Sequence, residues 1–203
     1  MALTLDHIAI SGSSRDAARA YVEETLGLKM QSGGAHARFA THNHLMALED
    51  NLYLEAISID PDAPAQDRAR WFGLDDFDGP PRLTNWICAC EDIEQVTQRL
   101  PQAGEAVALT RGDLAWQMAV PEGGALPFDN CFPALIQWQG RLHPAQMLTQ
   151  VGARLTQLTV LHPDADQLSD LLGPIIGAVV RFEAGAAGLV AEFDTPHGRR
   201  VLT

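Results

Sequence analysis

Leu5-Asp6-His7-Ile8-Ala9-Ile10 and Leu52-Tyr53-Leu54-Glu55-Ala56-Ile57 are strand-like apolar runs, with the imidazole of His7 in one and the carboxylate of Glu55 in the other. Either group costs free energy on a core strand unless it is paired, hydrogen-bonded or bound to a metal. Working outward from the first run, the same pattern of a strand followed by a helix occurs twice more in the chain.

In the first copy the strand leads to Ser13-Ser14-Arg15-Asp16, a helix start. Ala17, Ala20, Tyr21 and Leu26 then fall near helical spacing, and Gly27 is the stop. The second copy runs through Thr84-Asn85-Trp86-Ile87-Cys88-Ala89 and Glu91-Asp92 to a helix from Ile93 to Leu100, ended by Pro101 and Gly104. The third runs through Leu155-Thr156-Gln157-Leu158-Thr159-Val160 and Pro163-Asp164 to a helix from about Ala165 to Leu172, ended by Gly173-Pro174. This alignment places His7, Trp86 and Gln157 in one column.

Strand patterns follow each helix: Leu28 to Met30, about His44 to Leu48 and Leu52 to Ile59; then Ala106 to Thr110, Leu114 to Val120 and Ala134 to Trp138; then Val179 to Glu183, Leu189 to Asp194 and Arg200 to Leu202. The expected fold is α+β, built from β-α-β-β-β modules at about 3–60 and 82–140, with a shorter third unit at 152–203 completing one domain over 1–203. The connection from Asp60 to Arg82 carries an aromatic pair, Trp71-Phe72, suited either to a lid or to plugging the core.

The chain has 203 residues and a formal net charge of −12, which argues against nucleic-acid binding through phosphate neutralisation. No apolar run approaches the ~18 residues of a membrane span. The N-terminal residues lack a basic region followed by an apolar core, so a cytoplasmic location is expected. Cys88, Cys90 and Cys131 have no disulfide-framework spacing and read as small buried hydrophobes. Phosphate-loop, dinucleotide, serine-hydrolase and H-E-x-x-H motifs are all missing.

Leu5-Asp6-His7-Ile8, Gly33-Gly34-Ala35-His36, Thr41-His42-Asn43, Tyr53-Leu54-Glu55, Phe72-Gly73-Leu74, Pro81-Arg82-Leu83 and Leu135-Ile136-Gln137-Trp138 together resemble the vicinal oxygen chelate superfamily, and within it the glyoxalase-like group of bacterial proteins. The resemblance covers nearly the whole chain. It implies paired modules whose mixed sheets curl around a cup, with helices outside. It also implies metal ligands on the first and last strands of each module, and modules paired between chains in a homodimer.

Carried over by residue, His7 and Glu55 fall at first-module ligand positions, and Trp86 and Gln137 at the second-module positions, where neither is a strong ligand. The third ligand is expected from the cluster His36, His42 and His44, with His42 preferred. Strand alternation puts His42 and His44 on one face and Asn43 on the other. The expected ion is divalent: Zn, Mn, Ni or Fe. Trp86, Trp116, Trp138, Gln137, His36, Asn43 and His44 are the candidate pocket residues. The leading expectation is metal-dependent lyase or isomerase chemistry on a small oxygenated substrate, with Glu55 also moving a proton. The alternatives are a metal-free small-molecule-binding protein favouring a cationic aromatic ligand and, further off, extradiol-type dioxygenase chemistry.

Overall fold

The computed structural model describes residues 2–48, 51–176 and 180–203. The first module consists of β1 (Leu3–Ser11), α1 (Arg15–Leu26), β2 (Gln31–His36), β3 (Thr41–Ala47) and β4 (Tyr53–Ile59). The second consists of β5 (Arg82–Ala89), α2 (Ile93–Arg99), β6 (Glu105–Arg111), β7 (Leu114–Val120) and β8 (Ala134–Gln139). After the short α3 (Pro144–Met147) come β9 (Arg154–Leu161), α4 (Ala165–Leu172), β10 (Ile175–Ile176), β11 (Val180–Glu183), β12 (Gly188–Thr195) and β13 (Gly198–Leu202).

Local chemistry sets the helix ends. Ser14 caps α1 by accepting from the Ala17 amide at 3.1 Å. Gly27 ends it at φ 71°, the left-handed conformation that favours glycine. Asp92 caps α2 through the Gln95 amide. Ala18, Val22 and Leu26 form the buried stripe of α1, which packs on the outer side of the sheet.

The main sheet has the order β2-β3-β4-β1-β5-β8-β7-β6, with β10 also pairing β1. In each module the first strand pairs parallel with the last, and the remaining neighbours are antiparallel. The modules meet through antiparallel β1 and β5, where His7 pairs with Ile87, Ile8 with Trp86, and Ala9 with Asn85. This register has two-fold symmetry about the Ile8–Trp86 pair. The counterpart of His7 in the second module is therefore Asn85. Ala9 pairs with Glu55, and its counterpart Ile87 pairs with Ala134, so Ala134 stands where Glu55 stands.

Two expectations are corrected here. Trp86 belongs to the convex face: it is fully buried, its Nε1 donates to the Cys131 carbonyl at 2.8 Å, and its ring meets Phe182 edge-on. Gln137 also lies on the outer face, where its Oε1 accepts from the Ile93 amide and its Nε2 donates to the Glu91 carbonyl, fastening the start of α2.

The third unit does not repeat the module topology. Its sheet has the order β11-β9-β12-β13, with β9 parallel to β11. It packs on the back of the central strands, through Phe182 against Trp86 and a bond from the Leu83 amide to the Thr203 carbonyl. Val179, where a third-unit strand was expected to begin, lies outside the described residues. The first strand after α1 is Gln31–His36 rather than Leu28 to Met30. Its glycines and polar residues have low strand propensity, and pairing with β3 overrides it.

Candidate functional site

The curl of the main sheet forms a cup with about 360 Å³ of space not filled by atoms, its opening to solvent included. Its lining joins residues distant in sequence: His7, His36, Asn43, Tyr53 and Glu55 from the first module, and Arg111, Trp116, Met118, Ile136 and Trp138 from the second. Trp71 and Phe72, from the connection between the modules, also line it. Phe72 is held at φ 64° and Gly73 at φ 67°, a tight turn that brings both aromatic rings inward.

His7 is fixed from behind by its neighbour. Successive strand residues ordinarily face opposite sides of a sheet, but the β1–β5 register shifts between Leu5 and His7, and this bulge turns Asp6 toward the imidazole. Asp6 Oδ1 accepts from His7 Nδ1 at 2.5 Å. Asp6 Oδ2 accepts from Trp138 Nε1 at 2.9 Å and from His143 Nε2 at 3.0 Å. Burial alone would raise the Asp6 pKa, but the hydrogen bonds from His143 and His7 outweigh it and hold the carboxyl well below the usual carboxylate range. In neutral His7 the Nδ1 proton thus points to Asp6, and Nε2 is a lone pair facing the cup. Tyr53 stacks on the imidazole at 4.2 Å.

Glu55 sits across from it. Its Oε1 accepts from Asn43 Nδ2 at 2.5 Å, and its Oε2 lies 3.7 Å from His7 Nε2. Two lone-pair atoms thus face each other across a gap that suits a shared proton or a donor group on a ligand. Asn85 lies in the same row as Glu55, on the other side of Ala9. It is fully buried, and neither its Oδ1 nor its Nδ2 has a hydrogen-bond partner, a condition costing about 1–3 kcal/mol per group.

His36 accepts from Arg111 Nη1 at 2.9 Å on its Nε2, and its Nδ1 bonds Thr41 Oγ1 at 3.0 Å. Burial first, and the Arg111 guanidinium second, bring its pKa down to about 3, so the ring stays neutral.

The cup thus unites His7, Glu55, His36, Asn43, Trp116 and Trp138 from the sequence candidates. Trp86 and Gln137 face away from it. His42 and His44 belong to the opposite face of β3, beneath α1, where burial first and Arg15 second hold both below the usual imidazole range. His42 Nε2 bonds Ser58 Oγ at 3.0 Å. The alternation within β3 was legible; the face that became concave was not. Sequence reading also missed Asp6, Tyr53 and His143, and nothing in the local sequence around Arg111, an arginine able to hold a carboxylate, places it inside the cup. The Gly33-Gly34 pair was the available signal for Arg111, since glycines in a strand mark close approach of another group.

The donor set does not fit a resident divalent ion. Catalytic zinc takes three protein ligands, and only His7 Nε2 and Glu55 Oε2 converge. The second module offers Asn85 and Ala134 at the corresponding positions, His42 is across the sheet, and a guanidinium occupies the same cup. No group of three or more His, Cys, Asp or Glu side chains is poised to hold a metal among the described residues. The two-histidine, one-carboxylate set of extradiol-type chemistry likewise does not assemble among them.

Paired modules of this topology, with His7 and Glu55 at the cup floor, define a protein of the vicinal oxygen chelate superfamily. Residues 5–175 match the glyoxalase-like domain family, and the chain belongs to it. No curated protein matches the sequence. Among solved structures, a hypothetical protein from Staphylococcus aureus shares the fold at a TM-score of 0.65 and 17% identity, covering 92% of this chain and 88% of that one. Methylmalonyl-CoA epimerase from Mycobacterium tuberculosis aligns at a TM-score of 0.45 and 16% identity, over 68% of this chain and 89% of the epimerase. Among the described residues, no helix is long and apolar enough to cross a membrane.

Proposed function

We propose that the protein is a small-molecule enzyme that moves a proton on an oxygenated organic substrate, in isomerase- or lyase-type chemistry, with Glu55 as the base. The carrying observation is the pair His7 Nε2 and Glu55 Oε2 at 3.7 Å, each oriented by a hydrogen bond on its other atom. Asn43 occupies Oε1, so Oε2 is the carboxylate atom free to take a proton from a carbon next to a carbonyl or carboxyl group. His7 Nε2, aligned by Asp6, accepts that proton from Glu55 or donates it back to another face of the intermediate. Trp71, Trp116, Trp138 and Phe72 exclude water around the exchange.

The test is proton exchange. The protein is incubated in D2O with a panel of small 2-oxo and 2-hydroxy acids, esters and amides, and loss of the α-proton signal is followed by NMR. Enzyme-dependent exchange that disappears in Glu55→Gln supports the reading. Exchange unchanged in Glu55→Gln refutes the role of Glu55, and added Zn, Mn, Ni or Fe ions show whether a cation contributes. The buried aromatic walls, together with Asn85 and Ala134 at the second-module positions, favour one other reading, a metal-free small-molecule-binding protein. Binding without exchange by any panel compound would select it.

A further inference from the structure

Arg111 ends β6, one edge of the main sheet, and its side chain reaches β2, the opposite edge. The route is built for it. A Cβ on Gly34 would lie 2.8 Å from Arg111 Cδ, and one on Gly33 would lie 1.9 Å from Asn43 Oδ1. The two glycines therefore leave room for the guanidinium stem and for the amide beside it. Gly34 also donates its amide to Asn43 Oδ1 at 2.8 Å.

Every protein partner that holds Arg111 is neutral. Its Nη1 donates to His36 Nε2 at 2.9 Å and to Asn43 Oδ1 at 3.4 Å. Among the described residues no carboxylate forms an ion pair with it. A guanidinium carries five donors in a planar fork that matches a carboxylate. Nη1 is committed to the cup wall, and the nearest carboxylate in the lining, Glu55, is linked to it only through Asn43. Trp71, 3% exposed and also in the lining, has an Nε1–H with no partner. Arg111 and the unpartnered Trp71 Nε1–H therefore line a cup whose other polar groups include His7, His36, Asn43 and Glu55, and whose remaining walls are aromatic or apolar.

We infer that the cup takes a small monocarboxylate with an apolar or aromatic body, its carboxylate on Arg111 and its body against Trp116, Trp138, Met118 and Ile136. The inference rests on the reading of this cup as the substrate site, and it replaces the cationic aromatic ligand expected of a metal-free binding protein. Asp6 and Glu55 are carboxylates in or beside the same space, so every negative charge on a ligand meets their repulsion, and a monoanion is favoured over a dianion such as a phosphate ester. The walls of the cup close on little free space, which selects a small ligand.

The test compares three probes of nearly one shape, benzoate, benzamide and benzamidinium, by isothermal titration calorimetry on the full chain. Benzoate is expected to bind at least 10-fold more tightly than the other two. Arg111→Met is expected to remove that preference, and Arg111→Lys to keep part of it. If Arg111→Met does not fold because the two sheet edges part, Arg111→Gln, which can still donate to His36 Nε2, gives the same comparison without the charge. Equal binding of benzoate and benzamide, a preference for benzamidinium, undiminished benzoate binding in the uncharged variants, or no benzoate binding at 20 mM each overturns the inference. Glu55→Gln separates it from the proton-transfer reading. Benzoate binding retained in that variant, with no α-proton exchange by the wild type on any compound, leaves the anion site standing and removes the catalytic role.

Discussion

Replacing Asp6 with asparagine should change which nitrogen of His7 carries the proton. The Asp6 carboxylate accepts from His7, Trp138 and His143. Asparagine supplies one acceptor oxygen and one NH2 group. Trp138 Nε1 only donates, so the amide oxygen should stay on the Trp138–His143 side. The NH2 then faces His7 Nδ1, which becomes an acceptor, and the imidazole proton moves to Nε2 and points at Glu55 Oε2, 3.7 Å away. A hydrogen bond to a charged group contributes about 1.5–3 kcal/mol. Losing the charge-assisted His7 bond and weakening the other two should cost about 3 kcal/mol at neutral pH. For a chain of this size that lowers Tm by roughly 6–12 °C.

The pH dependence has a defined sign. The folded-state pKa of Asp6 is depressed, so its stabilisation is fully present above the unfolded carboxyl value near ~3.9. It is lost as pH falls through the folded value, and the wild type and Asp6→Asn should converge in stability on acidification. Thermal melts across pH test the energy, and 15N NMR of the imidazole tests the tautomer. An unchanged His7 tautomer together with a Tm within about 1 °C of wild type at pH 7 would refute the reasoning.

Three further outcomes follow from the geometry. His42→Ala removes one hydrogen bond on the far side of β3, so it should cost less than about 1 kcal/mol and leave benzoate affinity within about 2-fold; a 10-fold loss would return His42 to the site. Gly33→Ala should push Asn43 off Glu55 Oε1, lowering any α-proton exchange at least 10-fold while circular dichroism stays native; unimpaired exchange would refute the role given to Asn43. Gly104 sits at φ 92° and ψ −167°, and a Cβ there would lie 2.1 Å from the Val120 carbonyl carbon, so Gly104→Ala should cost at least about 3 kcal/mol in urea unfolding, and a loss below 1 kcal/mol would count against this backbone path.

The sequence by itself determined α1, α2 and α4, most strands and the family, because caps, glycine stops and hydrophobic periods are local signals. Ser14 with Gly27, and Asp92 with Ile93, are examples that the structure reproduces. It also singled out His7 and Glu55, whose burial on core strands is costly without a purpose. Only the tertiary structure decided which faces turned inward. Alternation separated Asn43 from His42 and His44, but the direction of curl chose Asn43. Pairing register, a long-range property, assigned Asn85 and Ala134 as the second-module counterparts, where matching of similar segments had pointed to Trp86 and Gln137. A bulge brought Asp6 to His7, and closure of the sheet carried Arg111 to His36 across 75 residues of chain. Those contacts exist because the sheet bends until its edges meet; the local pattern at Gly33-Gly34 marks a close approach but not which group makes it.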